Sequence, residues 1–274
     1  MSRPRSAGFG FGAVLVAIYA FIYAPIVISF IFSFSAERFP TIPLGGVSLQ
    51  WYGFVWSDPD VHAAFWRSVN VAALAAPIAV FIGFGAAYTD YRSKFFGKAL
   101  YLTLGLLPPL VPVLILGVAM LFFFARVGLF GGLYSIVISH VVLCTPFAFT
   151  VVRLRLTQVS PVLERAAWNL GAGPWRTVAL VIVPLCLPAI VAALLVTAAI
   201  SFDEFAVAWF VSGMNETLPV RVLNFVQGQA SPRINAIGSL TFTISMLLVM
   251  SALILLFFRT PQGSAPIDAA RDKP

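Results

Sequence analysis

The chain has 274 residues, of which 60% are apolar and only 10% charged, with a net charge of +7. A typical soluble domain carries about 25% charged residues, so a soluble protein is excluded. The basic balance does not call for nucleic acid, because an excess of Lys and Arg on one side of a membrane accounts for it.

A membrane helix needs ~20 mostly apolar residues to cross ~30 Å of hydrocarbon. In chain order, the runs 11–34, 69–88, 99–124, 131–152, 178–199 and 236–258 meet that requirement. Continuous apolar runs of this length exclude a transmembrane β-barrel, whose strands alternate. The expected fold is therefore all-α and integral to the membrane, with six transmembrane helices in one domain, 11–258. A short segment, 1–10, precedes it. The tail 259–274, with Pro261, Gly263, Pro266 and mixed charges, reads as disordered.

Arg3 and Arg5 precede the first run, but that run is too long for the apolar region of a signal peptide, so an uncleaved first helix is expected. The outer loop 35–68 carries Trp51, Tyr52, Trp56 and Trp66, amphipathic rings suited to a membrane interface. His62 stands there without a ligand pattern. Cys144 and Cys186 fall in separate apolar runs and read as free buried thiols rather than a disulfide or metal site.

Charge sets the orientation. With a cytoplasmic N-terminus, the inside segments hold Arg3, Arg5, Arg92, Lys94, Lys98, Arg153, Arg155, Arg165, Arg176, Arg259, Arg271 and Lys273. The outside segments hold Arg38, Arg67, Arg126, Arg221 and Arg233. That is 12 against 5 of the 17 basic residues, which places both termini inside.

The inner loop 153–177 is the most informative stretch. Ser160-Pro161 reads as a helix N-cap followed by proline at the first helical position. Glu164, one turn in, suits the positive end of the helix dipole. Ala166 and Ala167 favour helix and leave room for another surface to approach. Gly171 can end the helix in a left-handed conformation, and Gly173-Pro174 starts the next one. This predicts a short surface helix, a sharp turn and a second helix entering the fifth span. Such a surface suits a soluble partner.

The string Glu164-Arg165-Ala166-Ala167-Trp168-Asn169-Leu170-Gly171, followed by Ile182-Val183-Pro184-Leu185, resembles the EAA loop of bacterial ABC-importer permeases. Other stretches extend the likeness: Arg67-Ser68-Val69-Asn70, Leu107-Pro108-Pro109-Leu110-Val111-Pro112 with Gly117, Ser201-Phe202-Asp203-Glu204, Leu218-Pro219-Val220-Arg221, and 231–236. Together they resemble the second, shorter permease subunit of spermidine/putrescine-type importers. The resemblance implies a type I ABC importer permease (MetI-like) architecture in the bacterial inner membrane. It implies a second permease subunit, two copies of an ABC ATPase and a periplasmic substrate-binding protein as partners, with membrane lipid around them. Glu164, Ala166, Ala167 and Gly171 are then the residues that couple the chain to the ATPase. No cofactor is expected in this chain; ATP and Mg would be bound by the ATPase. The sequence agrees, because it has no G-x-x-x-x-G-K-[ST] phosphate loop, and Gly97-Lys98 lacks both the upstream glycine and the hydroxyl residue.

One departure concerns substrate. Polyamine members commonly show two aspartates where this chain has Asp203 and Glu204, so carriers of other amines, amino-acid derivatives or aminophosphonates stay in view. Counted from Thr177, Asp203 falls about 26 residues later, ~39 Å along a helix, which reaches the outer interface. The two acids either cap structure or pair with Arg221 or Arg233, or they line an outer gate and attract a cationic substrate. Phe205 and Trp209, with Phe210, either close that gate or pack. Pro108, Pro109, Pro112, Pro184 and Pro188 predict kinks in the third and fifth spans. A secondary transporter is the rival from another class. It would usually place charges mid-span or show inverted repeats with broken helices, and mid-span ionisable groups are almost absent here. A membrane scaffold explains neither the loop nor the acids.

Overall fold

The computed structural model describes residues 5–39, 41–228 and 232–258. The tail expected to be disordered, Arg3 and Ser231 lie outside the described residues.

The described residues form twelve α-helices: α1 (Arg5–Ser33), α2 (Gln50–Ser57), α3 (Pro59–Arg92), α4 (Lys98–Leu106), α5 (Val113–Val127), α6 (Leu133–Leu156), α7 (Pro161–Asn169), α8 (Pro174–Thr177), α9 (Val183–Asp203), α10 (Ala206–Val211), α11 (Leu218–Gly228) and α12 (Pro232–Phe258). A 3-10 turn, Pro108–Leu110, links α4 to α5, and a π-helical turn, Val178–Ile182, links α8 to α9. Among the described residues, five helical stretches are long and apolar enough to cross a membrane: Phe11–Ser33, Pro59–Arg92, Leu133–Leu156, Pro174–Asp203 and Pro232–Leu256. The sixth, expected at 99–124, is built in two pieces. Pro108, Pro109 and Pro112 lack the N–H that a continuous helix needs, so the run breaks into α4 and α5 rather than merely bending. Helix α3 overruns the apolar run 69–88 at both ends, and its N-terminal end is capped by Asp58, whose Oδ1 accepts from Asp60 N at 3.0 Å and Val61 N at 3.3 Å.

Two compact units make up the chain. One comprises residues up to 68 with 215–244, the other 69–214 with residues from 245 onward. In the first, the loop 35–68 folds on itself. Trp51 Nε1 donates to Ser35 O at 2.7 Å, and Trp66 Nε1 donates to His62 Nε2 at 3.1 Å. Arg221 forms ion pairs with Asp60 (2.5 Å) and Glu216 (3.3 Å), and Arg67 donates to Glu216 O at 2.7 Å. Arg233 places its guanidinium over the Phe54 ring.

The second unit is organised around α6 packed along α9. Many buried residues along the two helices are small: Ser135, Ser139, Cys144 and Ala148 on α6, Ala189, Ala193, Thr197 and Ser201 on α9. Small side chains let two helices approach closely where lipid supplies no hydrophobic drive between them. His140 Nδ1 and Ser201 Oγ meet at 2.8 Å in that seam. Cys144 and Cys186 are free and buried. Helix α3 joins the seam at Gly83, where an added Cβ would lie 2.8 Å from Ala148 Cβ and from Phe149 N. A core of Val80, Ala87, Phe149, Val152, Leu156 and Ile182 continues to the end of the unit that carries α7.

Candidate functional site

The α7–α8 turn is assembled by local chemistry. Ser160 Oγ accepts from Val162 N at 3.4 Å, with Pro161 in the first helical position. At the other end, Gly171 N donates to Trp168 O (2.9 Å) and Ala172 N to Ala167 O (3.0 Å), the paired bonds of a Schellman ending. That ending needs a left-handed residue, and Gly171 has φ +85°. Gly173 then caps α8, with Pro174 first in it. The local expectations for Ser160, Gly171 and Gly173 match this geometry.

Four side chains of this turn stand out in solvent: Val162, Leu163, Leu170 and Trp175, the last two 88% and 86% exposed. Ala166 and Gly171 are exposed beside them, and Ala167 is half-buried. Among the described residues nothing beyond its chain neighbours lies within 4 Å of a Cβ built on Gly171, so this turn leaves room for a partner.

Glu164 points the other way. It is 2% exposed, and its Oε2 lies 3.0 Å from Arg92 Nε at the end of α3. The Arg92 guanidinium also sits 4.4 Å from the centre of the Trp168 ring, one turn along α7 from Glu164. Next to it, buried Asp90 pairs with Lys98 Nζ at 3.0 Å and Arg153 Nε at 2.5 Å. Tyr91 Oη donates to Val159 O at 3.2 Å. Sequence reasoning singled out Glu164 but missed Arg92, Trp168 and Asp90 as its setting. The available signal was energetic: a carboxylate that becomes buried needs a cation.

The second pair of candidates lies at the opposite end of α9. Asp203 is exposed and Glu204 half-buried. Glu204 Oε1 accepts from Val207 N at 2.8 Å, in the first turn of α10. Burial pushes its carboxyl above the usual range, and the backbone N–H groups of Val207 and Ala206 offset part of that. Glu204 therefore caps structure, one of the two roles anticipated for it. Phe205 and Trp209 are each 44% exposed, while Phe210 closes on Gly117, where a Cβ would come within 2.5 Å of its ring. Of the three aromatics, Phe210 packs, and the other two remain available at the surface. The turn residues and the acids form two separate sites, one at each end of α9.

The sequence profile of the family described as "Binding-protein-dependent transport system inner membrane component" matches residues 79–260. The chain is 32% identical to the spermidine/putrescine transport system permease protein PotC of Haemophilus influenzae, over 88% of this chain and 95% of that protein. It is 29% identical to the PotC of Escherichia coli K12, over 89% and 92% respectively. Among solved structures, a chain of a bacterial alginate ABC transporter in complex with alginate pentasaccharide-bound periplasmic protein superposes with a TM-score of 0.70. Its identity is 14%, and the match covers 95% of this chain and 98% of that one. At that identity the likeness speaks for the fold, that of an ABC-importer permease.

Proposed function

Because the chain belongs to the family of binding-protein-dependent transport system inner membrane components, we propose that it forms half of the pathway of an ATP-driven importer for a small cationic amine of the spermidine/putrescine class. In this reading its partners are a second permease subunit, two copies of an ABC ATPase that bind ATP and Mg, and a periplasmic substrate-binding protein. Both termini and the α7–α8 turn face the cytoplasm.

One observation carries the coupling role: the exposed apolar side chains of Val162, Leu163 and Leu170 leading to the left-handed Gly171. Exposed apolar side chains clustered on a surface turn mark a protein contact. Closure of the ATPase dimer on ATP would draw this turn towards its counterpart on the second permease and switch the pathway from inward-facing to outward-facing. Two features support the substrate class: the identity to the PotC proteins over nearly the whole chain, and exposed Asp203, which offers a negative charge to a cation.

The test is recovery of the tagged chain from its native membrane, with mass spectrometry of what co-purifies, followed by uptake of labelled spermidine and putrescine into proteoliposomes. A second permease, an ATPase and ATP-dependent uptake are expected. A chain that purifies alone and transports without ATP overturns the importer reading in favour of a secondary transporter. An intact complex that takes up neither amine overturns the substrate class alone.

A further inference from the structure

Helix α7 has nine residues, too few to be stable unaided. Its outward face is the one offered to a partner, so whatever fixes its orientation must lie on the inward face. There, Glu164 and Trp168 are neighbours one turn apart, and the same residue engages both. Arg92 Nε meets Glu164 Oε2 at 3.0 Å, and its guanidinium stacks 4.4 Å from the Trp168 ring centre. The planar, permanently charged guanidinium suits this double contact, which an ammonium serves less well. Arg92 is itself the last residue of α3, whose end is fixed on other sides by the Asp90 pairs with Lys98 and Arg153 and by the Tyr91 bond to Val159 O.

We propose that Arg92 is a positioning residue for coupling: it clamps α7 to the end of α3, so that force applied to the exposed face of α7 moves α3 instead of rolling a short helix in place. Glu164, on this account, serves the ATPase from behind, by orienting α7, rather than by contact. The inference rests on the reading that α7 docks an ATPase, and adds the internal route by which that contact reaches the membrane helices.

The experiment uses the assembled importer in proteoliposomes and measures substrate imported per ATP hydrolysed, a ratio that a change in protein amount does not alter. Arg92→Ala should lower it about fivefold or more, the lower end of what a coupling interaction between sites carries. Arg92→Lys should fall between it and the wild type, because it keeps the charge and loses the stack. The exchange Arg92→Glu with Glu164→Arg should recover most of the ratio, since an arginine at 164 can reach both the new glutamate and Trp168. A wild-type ratio in Arg92→Ala overturns the clamp. So does an exchange variant that restores protein amount but not the ratio, which also covers the case in which Arg92→Ala fails to fold. A wild-type preparation that holds no ATPase overturns the docking reading itself.

Discussion

The two ends of α9 handle acidic residues in opposite ways. At the α7 end, Glu164 and Asp90 are buried and each is matched with cations from other helices, Arg92 for the first and Lys98 with Arg153 for the second. At the far end, Asp203 is exposed and Glu204 is spent on backbone N–H groups of the next helix. Removing one partner of a buried pair strands the other charge, so the first arrangement fixes geometry. A carboxylate at the surface leaves its field available to a passing cation. On the proposed reading, the contrast separates a mechanical end from an electrostatic one.

The largest expected effect breaks the mechanical end. Gly171→Glu adds a Cβ at φ +85°, costing about 1–2 kcal/mol, and sets an acid on the open face. ATP-driven uptake should fall about tenfold or more while the protein still inserts, as read by uptake together with membrane-fraction blotting. Normal uptake in this variant removes the turn from the coupling route. Next, Asp203→Asn combined with Glu204→Gln tests the electrostatic end. The KM for a cationic amine should rise about threefold, with the difference shrinking as salt rises from low ionic strength. Kinetics equal to the wild type at every ionic strength would leave Asp203, like Glu204, a structural residue.

The smallest effect compares the helix starts themselves. Ser160→Ala and Glu204→Ala each delete a side-chain acceptor in a first turn, at a cost of about 1 kcal/mol. The loss should be greater for Glu204, whose bond measures 2.8 Å against 3.4 Å for Ser160. Hydrogen exchange of the α10 and α7 amides reads this directly, and equal acceleration in both would show that bond length does not rank the caps.

How much of this could be read from the chain follows from the range of each interaction. The α7–α8 turn was legible residue by residue, because Ser160, Pro161, Gly171, Gly173 and Pro174 act on backbone within a few positions of themselves. Five of the six spans were legible from hydropathy alone. The third showed its prolines but not the extent of the break they cause, since that depends on how α4 and α5 pack. Helix α2 went unread within a loop noted for its aromatic rings. The Arg92–Glu164 pair was illegible for a different reason: its members meet only after α3 and α7 are placed, and nothing local to either announces the other. Glu204 was legible as an acid near a boundary, and its role as a cap needed the start of α10.

The π-helical turn Val178–Ile182 has a mechanical meaning. Val178, Ala179 and Val183 line an apolar cavity of about 840 Å³, while Ile182 on the other side of the turn is fully buried in the core. Just beyond it, Arg155 Nε donates to Leu185 O at 3.1 Å and fixes a point on α9. A wide turn beside a fixed point is where a tilt of α9 would start. The arm above it, α9, has 21 residues. At 1.5 Å per residue that arm is about 31 Å long, and a tilt of about 10° at its base would sweep its far end by about 5 Å. Because α9 packs along α6, with His140 and Ser201 meeting at 2.8 Å near its far end, such a tilt would carry α6 with it.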